Sequence, residues 1–240
     1  MGGEIGRVKT YIEGMDKHLE GGVPEGSVVL ICGTPGTMKS SLAYSILYNN
    51  AKEGRKGIYI TLEQDSASLT KQMEKLGMGP HDGLTLVDFD TLGWRVKDAR
   101  YEANWVERMK DFIEEMAKKE DYKLLALDSL NALYALTTVQ NPRRELYYLF
   151  KALQDTGMTS FLISEIALGT KYFGHFGVEE FLADGIIHLD FQKKGDILSS
   201  LERYIGVIKM RATNHETMYY PLLYLEDGFR VYSREELELE

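Results

Sequence analysis

The apolar run Ser27-Val-Val-Leu-Ile-Cys32 leads directly into Gly33-Thr-Pro-Gly-Thr-Met-Lys-Ser40. A buried strand, a turn with two glycines and a helix opening on Lys-Ser make a phosphate-binding loop, and few folds can carry one. Successive backbone N–H groups and the positive end of the helix dipole converge there on a single anion. Gly33, Thr34, Pro35, Gly36, Thr37, Met38, Lys39, Ser40 and Ser41 form the candidate cradle. Lys39 is placed to reach β- and γ-phosphates as a point charge, and the Ser40 hydroxyl to help hold Mg²⁺. One position departs from the usual G-x-x-x-x-G-K-[ST] pattern, because Met38 stands where the second glycine belongs. Its N–H can still donate if its φ is helical, which would keep the cradle usable.

Around this loop, short runs rich in Val, Ile and Leu alternate with helical stretches. Strands are expected at 27–32, 57–62, 84–89, 123–128 and 158–164, and helices at 39–53, 66–76, 99–119 and 142–156. In the helix 99–119, Val106, Met109, Phe112, Ile113 and Met116 recur close to a 3.6-residue period. The alternation predicts an α/β fold with a mainly parallel sheet flanked by helices. From 185 onward strands follow one another without helices, at 185–192, 201–210, 219–225 and 229–232, which reads as an antiparallel C-terminal extension. Gly195-Asp196 and Asp227-Gly228 are the expected hairpin turns. With 5 prolines, no linker-like tract and no internal repeat, residues 1–240 read as one domain.

Several further residues fit a nucleotide site. Lys123-Leu-Leu-Ala-Leu-Asp128 is an apolar strand ending in an acid, where a phosphate-loop protein keeps its Mg²⁺ carboxylate. A plain helix-capping acid is the alternative. Glu63 follows the strand Gly57–Leu62, and strand C-terminal ends line the ligand crevice of an open parallel sheet. There it can polarise an attacking water, or merely cap the helix at 66. Ser164-Glu165 ends another strand at the same edge; Ser164 could meet phosphate or simply bond to backbone. Lys209 and Arg211, at i and i+2, point to one face of a strand, with His215 in the turn beyond. They suit either a charged edge that resists aggregation or a trans-acting pair on another subunit's phosphates.

Together these segments resemble the RecA superfamily, most closely the single-domain archaeal KaiC-like ATPases. The likeness runs from Gly14-Met-Asp-Lys-His-Leu-Glu-Gly-Gly-Val-Pro-Glu-Gly-Ser27 through the loop, Tyr59–Glu63, Leu127-Asp-Ser-Leu-Asn131 and Phe161–Glu165. It ends with Gly177-Val-Glu-Glu-Phe-Leu-Ala-Asp-Gly185 and the Lys209–His215 segment. The resemblance implies a RecA-like P-loop NTPase core, ATP with Mg²⁺, and a ring-shaped homo-oligomer, commonly a hexamer, with nucleotide between neighbours. It also implies that Lys209, Arg211 and His215 face the neighbour's nucleotide, which favours the trans-acting reading. The family commonly has two adjacent acids at the catalytic position, whereas here Gln64 follows Glu63, so Glu63 must act alone or hydrolysis is slow. The stretch Gly177–Gly185 holds no Ser or Thr, so the autophosphorylation of clock KaiC is not expected there.

The expected function is thus an ATP-binding, slowly hydrolysing oligomeric switch, with Glu63 and Lys39 as catalytic residues and Ser40 and Asp128 at the metal. One alternative is a recombinase paralogue binding single-stranded DNA through Thr137–Arg144 and Ala167–Phe176, with Arg143, Arg144 and Lys171 beside Tyr172, Phe173 and Phe176. The other is a nucleotide sensor without turnover. A net charge of −9 disfavours strong sequence-independent binding to nucleic acid. A single cysteine, Cys32, no leader-like N-terminus and no 18-residue apolar run suggest a cytoplasmic protein without membrane insertion. Any separate protein partner is not legible.

Overall fold

The structure, a computed structural model, describes residues 5–92, 105–167, 169–194 and 200–232. Nine strands form one sheet: β3 (Val28–Gly33), β4 (Gly57–Thr61), β5 (Leu84–Asp88), β6 (Leu124–Asp128), β7 (Thr159–Glu165), β8 (Gly185–Lys194), β9 (Ser200–Met210), β10 (Tyr219–Leu225) and β11 (Gly228–Val231). Their spatial order is β11-β10-β9-β8-β3-β7-β6-β4-β5. The six strands from β8 to β5 run parallel, and β9, β10 and β11 add on antiparallel. A separate pair, β1 (Arg7–Val8) and β2 (Val23–Pro24), precedes the sheet. The α/β fold with a mostly parallel centre and an antiparallel C-terminal extension is therefore present.

Each central strand is buried on both faces because it separates two apolar layers. Val29 and Ile31 pack with Leu42, Ala43 and Ile46 of α1 (Lys39–Lys52), and with Leu69 and Met73 of α2 (Ser66–Glu74). Val28, Leu30 and Cys32 face the other way, toward α3 (Trp105–Lys119) and α5 (Pro142–Asp155). In α3, Met109 and Ile113 are fully buried while Val106, Phe112 and Met116 are partly so, which is the stripe that the periodicity predicts. Each fully buried side chain of this size contributes roughly 1.5–3 kcal/mol.

Two helices are absent from the sequence expectation: α4 (Leu130–Leu136) and α6 (Glu179–Leu182). Both are too short to complete a convincing period. The start of the helix expected at 99 and the turn at Gly195-Asp196 lie outside the described residues. Among the described residues, no helix is long and apolar enough to cross a membrane.

Candidate functional site

The loop between β3 and α1 sits at the C-terminal ends of the parallel strands, where an open α/β sheet forms its crevice. Gly33 is dictated by space. A Cβ there would lie 2.3 Å from the Leu189 carbonyl oxygen and 2.9 Å from Thr37 Oγ1. Gly36 has φ 83°, in the left-handed region. The Thr37 hydroxyl donates to the Thr34 carbonyl at 2.8 Å and closes the turn.

Met38 corrects the sequence expectation. Its φ is 71° and its ψ 29°, left-handed rather than helical, so the chain keeps the backbone a glycine would take. For an L-residue that conformation costs about 1–2 kcal/mol, offset here by packing of the thioether against the α1 side of the core. Met38→Gly should therefore change the unfolding free energy by less than about 1 kcal/mol, whereas Met38→Ile, β-branched, should lower it by about 1–2 kcal/mol. Urea unfolding of the three proteins checks this; an isoleucine variant as stable as the parent would refute it.

Lys39 is 5% exposed. Its amine donates to the Thr34 carbonyl at 3.0 Å and lies 3.7 Å from the Glu165 carboxylate. Burial pushes its pKa down, and the charges of Glu165, Asp128 and Glu63 oppose that shift. The charges of three carboxylates, from three different strand ends, thus act on one ammonium, Glu165 from 3.7 Å.

Asp128, at the end of β6, is buried. Its Oδ2 accepts from the Tyr59 hydroxyl at 2.7 Å, while its Oδ1 has no hydrogen-bond partner. Burial raises its pKa to about 6, with the hydrogen bond from Tyr59 and the nearby Ser40 hydroxyl pulling the other way. Capping of the following helix belongs to Ser129, whose Oγ accepts from the Ala132 N–H at 3.2 Å. An orphaned buried carboxylate oxygen beside a serine hydroxyl is a hard-oxygen donor set that suits Mg²⁺. Among the described residues no three His, Cys, Asp or Glu side chains converge on a metal, so phosphate oxygens would have to complete the shell.

The raised pKa has a consequence for stability. Ionising Asp128 costs more in the folded chain than in the unfolded one, so its penalty is fully present above pH 6 and vanishes below pH 4. About two pKa units correspond to about 3 kcal/mol. Asp128→Asn should accordingly raise the unfolding free energy by about 2–3 kcal/mol at pH 7.5 without metal, and the gain should fade as pH drops from 6 to 4. Denaturant melts in the presence of chelator measure it; a loss of stability at pH 7.5 would sink the argument.

Glu63 follows β4 and is exposed, with one oxygen hydrogen-bonded to the Ser129 hydroxyl. It does not cap α2, because Asp65 accepts from the Ser68 N–H at 2.8 Å and does so instead. Asn131 of α4 pins the end of β7. Its amide donates to the Glu165 carbonyl at 3.1 Å and its oxygen accepts from the Glu165 N–H at 2.8 Å. Ser164 Oγ is buried without a hydrogen-bond partner, so the backbone-bonded alternative is not what occurs.

A cleft of about 510 Å³ opens over the loop, lined by Met38, Lys39, Ser40, Ser41, Glu165 and Arg203 among others. Arg203, from β9, escaped the sequence analysis. It donates to the Gly36 carbonyl at 3.2 Å and lies over the Phe191 ring at 5.5 Å. Only the β8–β9 register, Phe191 opposite Arg203, brings it there, and no spacing within the sequence announces that pairing.

Lys209, Arg211 and His215 are not part of this cluster. Met210 pairs with Gly185, so they stand about 20 Å down β8 from Phe191, at the opposite end of the sheet. Lys209 donates to the carbonyls of Glu180 and Ala183 at 3.0 and 2.5 Å, and Arg211 pairs with Asp184 at 2.8 Å. Both bases do lie on one side of the strand, wrapped around residues 180–184. His215 Nδ1 is 3.4 Å from the Glu216 carbonyl oxygen.

The aromatic residues weighed for nucleic acid are largely occupied. Phe173 packs edge-on against His188, and Phe176 lies against Tyr134, whose hydroxyl donates to the buried Glu179. Tyr172 is exposed. Arg144 lines, with Thr138 and Gln140, a separate groove of about 490 Å³ between α3 and α5, which the residues of the nucleotide loop do not share.

Comparison with known proteins gives a consistent result. A family model described as "ATPase: KaiC" matches residues 8–236. A UPF0273 protein of Pyrococcus furiosus is 36% identical over 239 residues, 95% of this chain and 94% of its own length. A UPF0273 protein of Aeropyrum pernix is 34% identical over 238 residues, with 95% and 94% covered. The crystal structure of a KaiC-like protein from Pyrococcus horikoshii superposes with a TM-score of 0.80 at 31% identity, over 96% of this chain and 100% of that one.

Proposed function

The chain belongs to the KaiC-like ATPases, nucleotide-binding proteins with a RecA-like fold, and from that premise we propose that it binds ATP with Mg²⁺ and hydrolyses it slowly at sites shared between copies in a ring. The observation that carries this reading is that the charges of Asp128 and Glu63, from two strand ends, act on Lys39 at the start of α1 beside the loop. The N–H groups of the loop would hold the β-phosphate, and Lys39 would leave Thr34 and Glu165 to meet the γ-phosphate. Ser40 and Asp128 would hold the metal, which when bound would neutralise phosphate charge. Glu63 would orient a water in line with the γ-phosphorus and take its proton as the bond to the bridging oxygen breaks. Arg203 would border the nucleotide from the antiparallel extension.

Slow turnover follows from two features of this chain. Gln64 cannot share the proton-accepting role, and one oxygen of Glu63 is already engaged by Ser129. Lys209, Arg211 and His215 stand too far along the sheet for their own loop, so any action on phosphate would be on a neighbour's. The ring itself, its size and the switch role belong to the proposal.

Phosphate release from ATP and Mg²⁺, with the oligomer mass recorded in parallel, tests the reading. The expected result is ATP-dependent assembly with turnover below about 1 s⁻¹. Assembly without any phosphate release would replace it with a nucleotide-sensing scaffold.

A further inference from the structure

The segment before the sheet holds the connection between β9 and β10 at two points. Arg7, whose side chain is 17% exposed, spreads its guanidinium over acceptors from both. Nη1 donates to Thr213 Oγ1 at 2.6 Å and to the Gly22 carbonyl at 3.2 Å. Nη2 donates to the Ala212 carbonyl at 3.2 Å and to Glu20 Oε2 at 2.7 Å. Further along, His18 Nδ1 lies 3.0 Å from Glu216 Oε1, and its ring stacks on Tyr220 with centroids 4.6 Å apart. The Tyr220 hydroxyl donates to the other Glu216 oxygen at 2.5 Å. Arg211 and His215 lie on or between these two grips.

The grip falls where the connection is least stable on its own. Ala212 has φ 53°, a left-handed conformation that costs about 1–2 kcal/mol for alanine. Its carbonyl is one of the acceptors of Arg7, so the same guanidinium that crosses from residue 7 holds this turn. Five donors in a fixed planar fork suit that task, because the fork sets direction as well as distance. Lys209 and Arg211 are anchored on the near side by residues 180–184, which leaves Arg7 to fix the far side.

We propose that Arg7 is a positioning residue: it holds residues 211–216 in the shape that presents Arg211 and His215 to a neighbouring copy's phosphates, without touching nucleotide itself. This rests on the shared-site reading above. The role accounts for a guanidinium spent on loop acceptors some 205 residues away in sequence, at the end of the sheet opposite its own nucleotide loop.

A double-mutant cycle on the full-length protein decides it, using ATP turnover at concentrations where the oligomer mass equals that of the parent. Arg7→Ala should lower kcat about 10–100-fold with KM unchanged, as small displacements of positioned groups do. In an Arg211→Ala background the same change should cost several-fold less than it does alone, since the part that acts through Arg211 is already lost. Arg7→Lys should recover part of the loss. Thr213→Ala, which removes one loop acceptor and leaves Arg7 its bonds to Gly22 and Glu20, should lower kcat in the same direction and serves if Arg7→Ala does not fold. Full turnover in folded, assembled Arg7→Ala and Thr213→Ala alongside an impaired Arg211→Ala overturns the positioning role alone. Losses that multiply independently in the double variant also overturn it. Unchanged turnover in Arg211→Ala, or none in the parent, overturns the shared-site reading and this proposal with it.

Discussion

Glu63→Gln is expected to lower kcat by about 10²–10⁴-fold while leaving ATP affinity and assembly intact. The substitution keeps the shape and an oxygen that can accept from Ser129, so the N-terminus of α4 should not move. What it removes is the negative charge and, with it, the capacity to take the proton from water. Single-turnover phosphate release, with equilibrium binding of a fluorescent ATP analogue alongside, separates the two effects. The neighbouring carboxylate provides the control. Glu165 lies 3.7 Å from Lys39 and can act on the lysine's charge, so Glu165→Gln should alter ATP affinity more than chemistry. Turnover that survives Glu63→Gln but collapses in Glu165→Gln would reverse the two assignments.

Arg211→Ala should lower kcat by about 10³-fold in assembled protein, the lower end of what a trans-acting arginine contributes. Its side chain is 54% exposed and held by Asp184, so the loss should not come from unfolding. Mixing gives the sharper result. If the nucleotide-bearing copy supplies Glu63 and its neighbour supplies Arg211, inactive Glu63→Gln and inactive Arg211→Ala chains should restore activity together. With random co-assembly at equal amounts, about a quarter of the interfaces regain both groups, whatever the size of the closed ring. Recovery to about a quarter of parental turnover is the expected result. No recovery, despite mixed oligomers detected by mass, would place both residues in one chain's site or remove Arg211 from the reaction.

The parallel core was legible because central strands such as β3 and β6 are apolar runs buried on both faces, and α3 shows a regular stripe. The nucleotide loop was legible because its glycines, lysine and serine are contiguous. What escaped is short or non-local. Leu130–Leu136 has too few residues for a period, yet its N-terminal end carries the Ser129 contact to Glu63 and the Asn131 clasp on Glu165. Arg203 reaches the loop through strand pairing, and Arg7 reaches Ala212 across nearly the whole chain. The helical φ considered for Met38 is not what occurs, for a different reason. A sequence names the residue but not the φ that the surrounding turn imposes on it.

Strand β9 has Arg203 within reach of its own nucleotide loop and Lys209 near its far end, with Arg211 just beyond. The two arginines are eight positions apart, about 26 Å of extended chain. In a ring built as proposed, each such strand would serve as a shared wall, touching one nucleotide with one end and the next nucleotide with the other. Occupancy of one cleft would then be felt in the adjacent cleft as a shift of a single stiff element. Successive turnovers would be ordered around the ring rather than independent. Dilution below the assembly threshold would leave every copy able to hold ATP and none able to finish the reaction.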